Sequence, residues 1–127
     1  MKEESRENYL RISLWVIGVI FIVGIWFLGQ VWPSGWLWHL SGRNHYHEMI
    51  MVVYATLGVF LILAAKKPSR HTSLIWFTIW SSITHATIMA LQSFSPGDHI
   101  GHLWGDVAAL YIVAAWLAFL MPRKSDA

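Results

Sequence analysis

The chain alternates long apolar blocks with short polar segments. The first block, 12–31, has no charged residue and is long enough to cross a hydrocarbon core of about 30 Å at about 1.5 Å per residue. Three further blocks, at 49–65, 74–91 and 102–121, are each near the minimum of about 17 to 20 residues for a span. The pattern predicts four transmembrane helices at about 10–32, 46–65, 72–94 and 100–121.

Composition places these helices in one membrane domain. Of the 127 residues, 56% are hydrophobic and only 13% are charged, which is too apolar for an ordinary soluble domain of this size. A cleaved signal peptide is the rival interpretation of the first block. It is less favoured because the preceding segment mixes acids with bases and no A-x-A-like site follows. We therefore expect an all-α membrane protein in which residues 1–127 form a compact four-helix bundle.

Loop charges predict how the bundle is oriented. One predicted face of the bundle carries nearly all the basic residues: Lys2, Arg6, Arg11, Lys66, Lys67, Arg70, Arg123 and Lys124. The other face carries only Arg43. By the positive-inside rule, both termini are cytoplasmic and the protein is a multi-pass protein of the bacterial inner membrane. The formal net charge of +2 is therefore interpreted as a topology signal, and no nucleic-acid partner is expected.

Ionisable residues within the predicted spans fall toward the outer leaflet. If the third helix ends near Phe94 and the fourth starts near His99, His85 should lie about 13 Å below the first of these ends and Asp106 about 10 Å below the second. Tyr54 should reach a similar depth. An ionisable group that faces hydrocarbon costs several kcal/mol, so these side chains should turn inward. The spacing predicts an interior polar site between the second, third and fourth helices.

The residue types at this depth are those of a transition-metal site. His102 and Asp106 are four residues apart, which places two ligands on consecutive turns of one helix, and His85 with Glu48 could complete a four-ligand shell. Imidazole with carboxylate suits Zn, Fe, Mn or Cu, and the absence of cysteine excludes thiolate ligands. A bound ion could activate water or a redox substrate, which leaves open whether the protein is an enzyme.

Three other interpretations of the polar residues stay open. The polar residues could be satisfied by structural hydrogen-bonded pairs, such as His85 with Asp106, which would give the same pattern. Glu48 by itself could be an acid that complements the dipole at the start of the second helix. His85 with His102 or His47 could instead be the axial ligands of a b-type haem in an electron-transfer anchor. The chain could also be an accessory subunit of a larger membrane complex, or a homo-oligomer, with a purely structural polar core.

Three stretches carry a resemblance to a known family. They are "PSGWLWH" at 33–39, "YATLGVFLILAAKKPSRHTSLIWFTIWSSITHATIMALQ" at 54–92 and "GHLWGDVAAL" at 101–110. Together they resemble a family of small four-helix bacterial membrane proteins known only as a domain of unknown function. The resemblance implies the same topology and implies that the H-L-x-G-D and S-S-x-x-H-A segments recur, but it supplies no activity.

Overall fold

Four helices make up the part of the chain that the computed structural model describes, residues 2–31, 45–94 and 105–121. Helix α1 covers Glu3–Val19, passes through a π-helical segment at Ile20–Gly24 and continues as Ile25–Val31. Helix α2 is His45–Ala64, a 3-10 turn follows at Pro68–Arg70, and α3 and α4 are Thr72–Gln92 and Asp106–Leu120. These ranges contain no strand, so the all-helical prediction is confirmed.

Two helix starts differ from the sequence prediction. Helix α1 begins at Glu3 because the polar segment before the apolar block is itself helical, with acids in its first turn and Arg6 and Leu10 buried. Helix α4 begins at Asp106, well after the predicted start near residue 100, because Gly105 is not helical, at φ −99° and ψ −107°. An apolar block in the sequence shows which residues lipid can surround, but the helix itself begins where the backbone becomes helical, which is earlier for α1 and later for α4.

Only two of the described helices are long and apolar enough to cross a membrane, Glu3–Leu28 and Thr72–Gln92. The apolar helices Glu48–Ala64 and Asp106–Leu120 are shorter, and the 15 residues of α4 rise about 22 Å. Core helices of soluble proteins and signal sequences can meet the same criterion. The fold therefore gives weak support for membrane association, and the bundle of four spans stays a proposal.

The helices run alternately up and down. Arg6 near the start of α1 contacts Phe119 near the end of α4, and Pro68 from the turn between α2 and α3 lines a cavity of about 450 Å³ together with Glu3 and Leu120. One end of the molecule, the Arg6 end, thus collects the start of α1, the turn that joins α2 to α3, and the end of α4. The shared core above this end is apolar and includes Leu10, Leu14, Leu61, Ile75 and Leu117.

Two glycines meet where helices α1 and α2 pack against each other. A Cβ atom on Gly18 would lie 2.7 Å from the carbonyl oxygen of Gly58 and 2.7 Å from Cγ1 of Ile62. A Cβ atom on Gly58 would lie 2.5 Å from the carbonyl oxygen of Gly18. Neither distance leaves room for a side chain, so glycine at both positions is what allows the two backbones to pack together.

Arg6 is a buried side chain that joins the start of α1 to the end of α4. It is only 6% exposed, and its Nη1 donates hydrogen bonds to the carbonyl oxygens of Phe119, at 2.6 Å, and Met121, at 3.4 Å. Its Nε lies 3.7 Å from Oε1 of Glu3. The last carbonyls of a helix have no partner within the helix, and a cation there also complements the helix dipole. Arg6 therefore caps α4 in addition to adding positive charge to this end.

We expect Gly58→Ala to lower the free energy of unfolding by about 1–3 kcal/mol, because the new methyl group must push α1 and α2 apart. Thermal unfolding in detergent measures the change. Gly24→Ala is the matched control, since a Cβ there meets mainly the side chain of Ile20 on the same helix, at 3.2 Å. The control should be neutral or slightly stabilising. A Gly58→Ala protein as stable as the control would contradict the close packing.

We expect Arg6→Gln to lower the free energy of unfolding by about 1.5–3 kcal/mol, the range for a hydrogen bond to a charged group. Arg11→Gln is the matched control, since Arg11 is exposed and its ion pair with Glu7, at 3.8 Å, is worth at most about 1 kcal/mol. Chemical or thermal unfolding of both variants gives the comparison. Equal losses for the two variants would rule out a capping role for Arg6.

Candidate functional site

Tyr54 lies at the point where α1, α2 and α3 meet. Its ring packs edge to face on Phe21, with centroids 4.9 Å apart and planes at 80°, and on His85, at 5.5 Å and 83°. Both separations fall within the range in which perpendicular aromatic pairs attract each other. Phe21 belongs to the π-helical segment of α1, and such segments often occur at functional sites. The contacts hold the imidazole of His85 against the phenol ring.

Asp106 brings a carboxylate from α4 to the same region. It is the first residue of α4 and is 8% exposed, and its charge acts electrostatically on both Tyr54 and His85. The free N–H groups and the dipole at the start of a helix stabilise a carboxylate in this position. We refer to Phe21, Tyr54, His85 and Asp106 as the polar cluster. The cluster lies toward the end of the molecule opposite Arg6.

The predicted metal ligands are brought together only in part. His85 and Asp106 both belong to the polar cluster, whereas Glu48 lies in the first turn of α2, six residues before Tyr54 and therefore about 9 Å along the helix. Across 2–31, 45–94 and 105–121, no three His, Cys, Asp or Glu side chains converge as a metal site would require. His102 lies outside the described residues, and so does the side chain of His47.

The prediction that His102 and Asp106 lie four residues apart on one helix is not tested, because His102 lies outside the described residues, but Asp106 itself is not where the prediction placed it within α4. Because Gly105 is outside the helix, Asp106 is at the start of α4 and not two turns within it. The i, i+4 relation assumed one continuous helix from about residue 100. A glycine gives no side-chain packing to hold the helix together at that point, and an acid directly after it is a favourable first residue.

Two members of the region were not selected from the sequence. Phe21 is one apolar residue in a continuous apolar block, so nothing in the pattern separates it from its neighbours. Ser82 lies one turn from His85, but the sequence does not reveal its burial: it is 1% exposed, and its Oγ has no hydrogen-bond partner in the described structure. Helix rotation, which the sequence leaves undefined, decides both features.

Comparison with known proteins assigns the chain to a family. A family model described as Family of unknown function (DUF6632) matches residues 5–125. No curated protein and no solved structure matches the chain. Because the family model covers nearly the whole length, the chain belongs to this family. The resemblance to a small family of unknown function is confirmed, and the match says nothing about a bacterial origin.

Proposed function

We propose that this member of the DUF6632 family is a small polytopic membrane protein whose polar cluster binds a divalent transition metal ion. One observation carries the proposal: the half-buried imidazole of His85 and the buried carboxylate of Asp106, from two different helices, lie within electrostatic range of each other and of the phenol ring of Tyr54. An ionisable residue inside a membrane is costly and is by default evidence for a functional site.

The distribution of apolar side chains supports a membrane environment. Bulky residues such as Trp15, Trp26, Trp80 and Phe77 are more than half exposed, whereas Thr78 is buried. Exposed bulky apolar side chains in this number favour association with lipid or another protein over exposure to water. The interior is thus partly polar and the exterior mostly apolar, as expected where lipid is the solvent.

Charge favours placing the Arg6 end on the cytoplasmic side. Arg11, Lys66, Lys67 and Arg70 are exposed near that end, where the start of α1 meets the turn between α2 and α3. By the positive-inside rule, the polar cluster then faces the outer leaflet, and both termini are cytoplasmic. This arrangement corresponds to a multi-pass protein of a bacterial inner membrane.

The donor set favours borderline metals. His85 and Asp106 supply nitrogen and oxygen ligands that suit Zn, Fe, Mn or Cu. We propose His102 as the third ligand and leave Glu48 out of the shell, because it does not converge with His85 and Asp106 among the described residues. A bound ion would supply Lewis-acid chemistry at this place, while the ring of Tyr54 would hold His85 and limit its rotation.

We expect the detergent-purified protein to retain a stoichiometric transition metal and Asp106→Asn to weaken its binding at least about tenfold, because the variant keeps the shape of the side chain and removes its charge. Elemental analysis by mass spectrometry and metal titration give the result. His71→Ala is the control, because His71 is exposed and lies beside Arg70, at the other end of the bundle. It should retain the metal content and affinity of the wild type.

The metal proposal fails if reconstituted wild-type protein and the double variant His85→Ala, Asp106→Asn hold equal amounts of metal. An absorption spectrum separates the other candidates in the same sample. A Soret band lost in His85→Ala would assign the histidine to a b-type haem. Absence of both metal and haem would favour an accessory subunit with a structural polar core.

We expect reporter fusions to place both termini on the cytoplasmic side, because the exposed basic residues gather at the Arg6 end. A phosphatase joined after Ala127 should be inactive, and one inserted at 95–97 should be active. The green fluorescent reporter at the same two positions is the reciprocal control. Phosphatase activity only after Ala127 would reverse the orientation and place the polar cluster on the cytoplasmic side.

A further inference from the structure

Ser82 stands apart from the other hydroxyl residues of α3. Thr78, Thr84 and Thr87 each donate a hydrogen bond to a carbonyl oxygen four residues earlier, at 2.9, 3.1 and 2.8 Å. Ser81 donates to the carbonyl oxygen of Thr78 at 3.3 Å. Ser82 is almost fully buried, and its Oγ has no partner within the described residues. A buried hydroxyl without a hydrogen bond costs free energy, so its presence requires an explanation.

Helix geometry places Ser82 next to His85. Residues three apart on a helix lie on neighbouring turns, with Cβ atoms roughly 5–6 Å apart. Side chains on a helix lean toward its N-terminus and cover the preceding turn. The side chain of His85 therefore leans toward the turn that contains Ser81 and Ser82, while its ring also contacts Tyr54 on α2. Ser82 is the more deeply buried of these two serines, and its hydroxyl is the one that is not engaged.

We propose that Ser82 is a positioning residue for His85. By side-chain rotation its Oγ accepts a hydrogen bond from Nδ1–H of the imidazole, which keeps the proton on Nδ1 and leaves the lone pair of Nε2 available to a ligand. Histidines that bind metals are commonly held in this way by a hydrogen bond at the other ring nitrogen. This role of Ser82 rests on the proposed function only in that the ligand of Nε2 is taken to be the transition metal ion.

The test is the tautomer of His85 in metal-free protein, read from ¹⁵N chemical shifts of histidine-labelled samples and assigned by comparison with His85→Gln. The wild type should show His85 mainly with Nδ1 protonated. Ser82→Ala should shift the ring toward protonation at Nε2, and Ser81→Ala is the matched control that should leave the ring unchanged. If Ser82→Ala disrupts folding, Ser82→Cys keeps the volume and supplies only a weak acceptor.

A metal titration on the same proteins separates the two proposals. If the proposed function holds, Ser82→Ala should lower metal affinity about 10- to 100-fold, with no such loss in Ser81→Ala. If the wild type binds no metal but the tautomer changes as expected, the metal proposal fails and the role of Ser82 stands. An unchanged His85 tautomer in Ser82→Ala and Ser82→Cys, or an equal change in Ser81→Ala, overturns the role of Ser82.

Discussion

The close approach of α1 and α2 at Gly18 and Gly58 is the constraint on which the polar cluster depends. Helices in an apolar solvent gain little from burying more apolar surface, so they associate through close packing, which small residues permit. Three residues past Gly18 on α1, Phe21 meets Tyr54, which lies four residues before Gly58 on α2. Larger side chains at the glycines would separate the backbones and move Tyr54 away from Phe21.

Tyr54 transmits this constraint to α3. The same ring that packs on Phe21 also packs on His85, so the position of the imidazole is coupled to the crossing of α1 and α2. Asp106 reaches the cluster from the start of α4, where the helix dipole supports its charge. The site thus depends on all four helices, although none of them supplies more than one of its four side chains.

The opposite end of the molecule is held by Arg6. Its guanidinium group satisfies carbonyls at the end of α4 and pairs with Glu3, so a residue at the start of the sequence stabilises a helix that ends more than a hundred residues later. The proposed cytoplasmic position of this end rests on its exposed basic residues, whereas Arg6 acts within the protein. A count of charges in the sequence does not distinguish the buried Arg6 from the exposed basic residues, and only their burial in the structure shows the difference.

The sequence by itself predicted that the described residues are all helical and where the middle and end of α2 and α3 lie, because apolar blocks and helical spacing are local properties of the chain. It also indicated that Tyr54 and Asp106 would share a depth with His85. Only the tertiary structure decided that Gly18 meets Gly58 and that Arg6 caps α4, since both depend on which faces of distant segments pack together. The rotation of α3, which leaves the hydroxyl of Ser82 buried without a partner, likewise follows from packing against its neighbours.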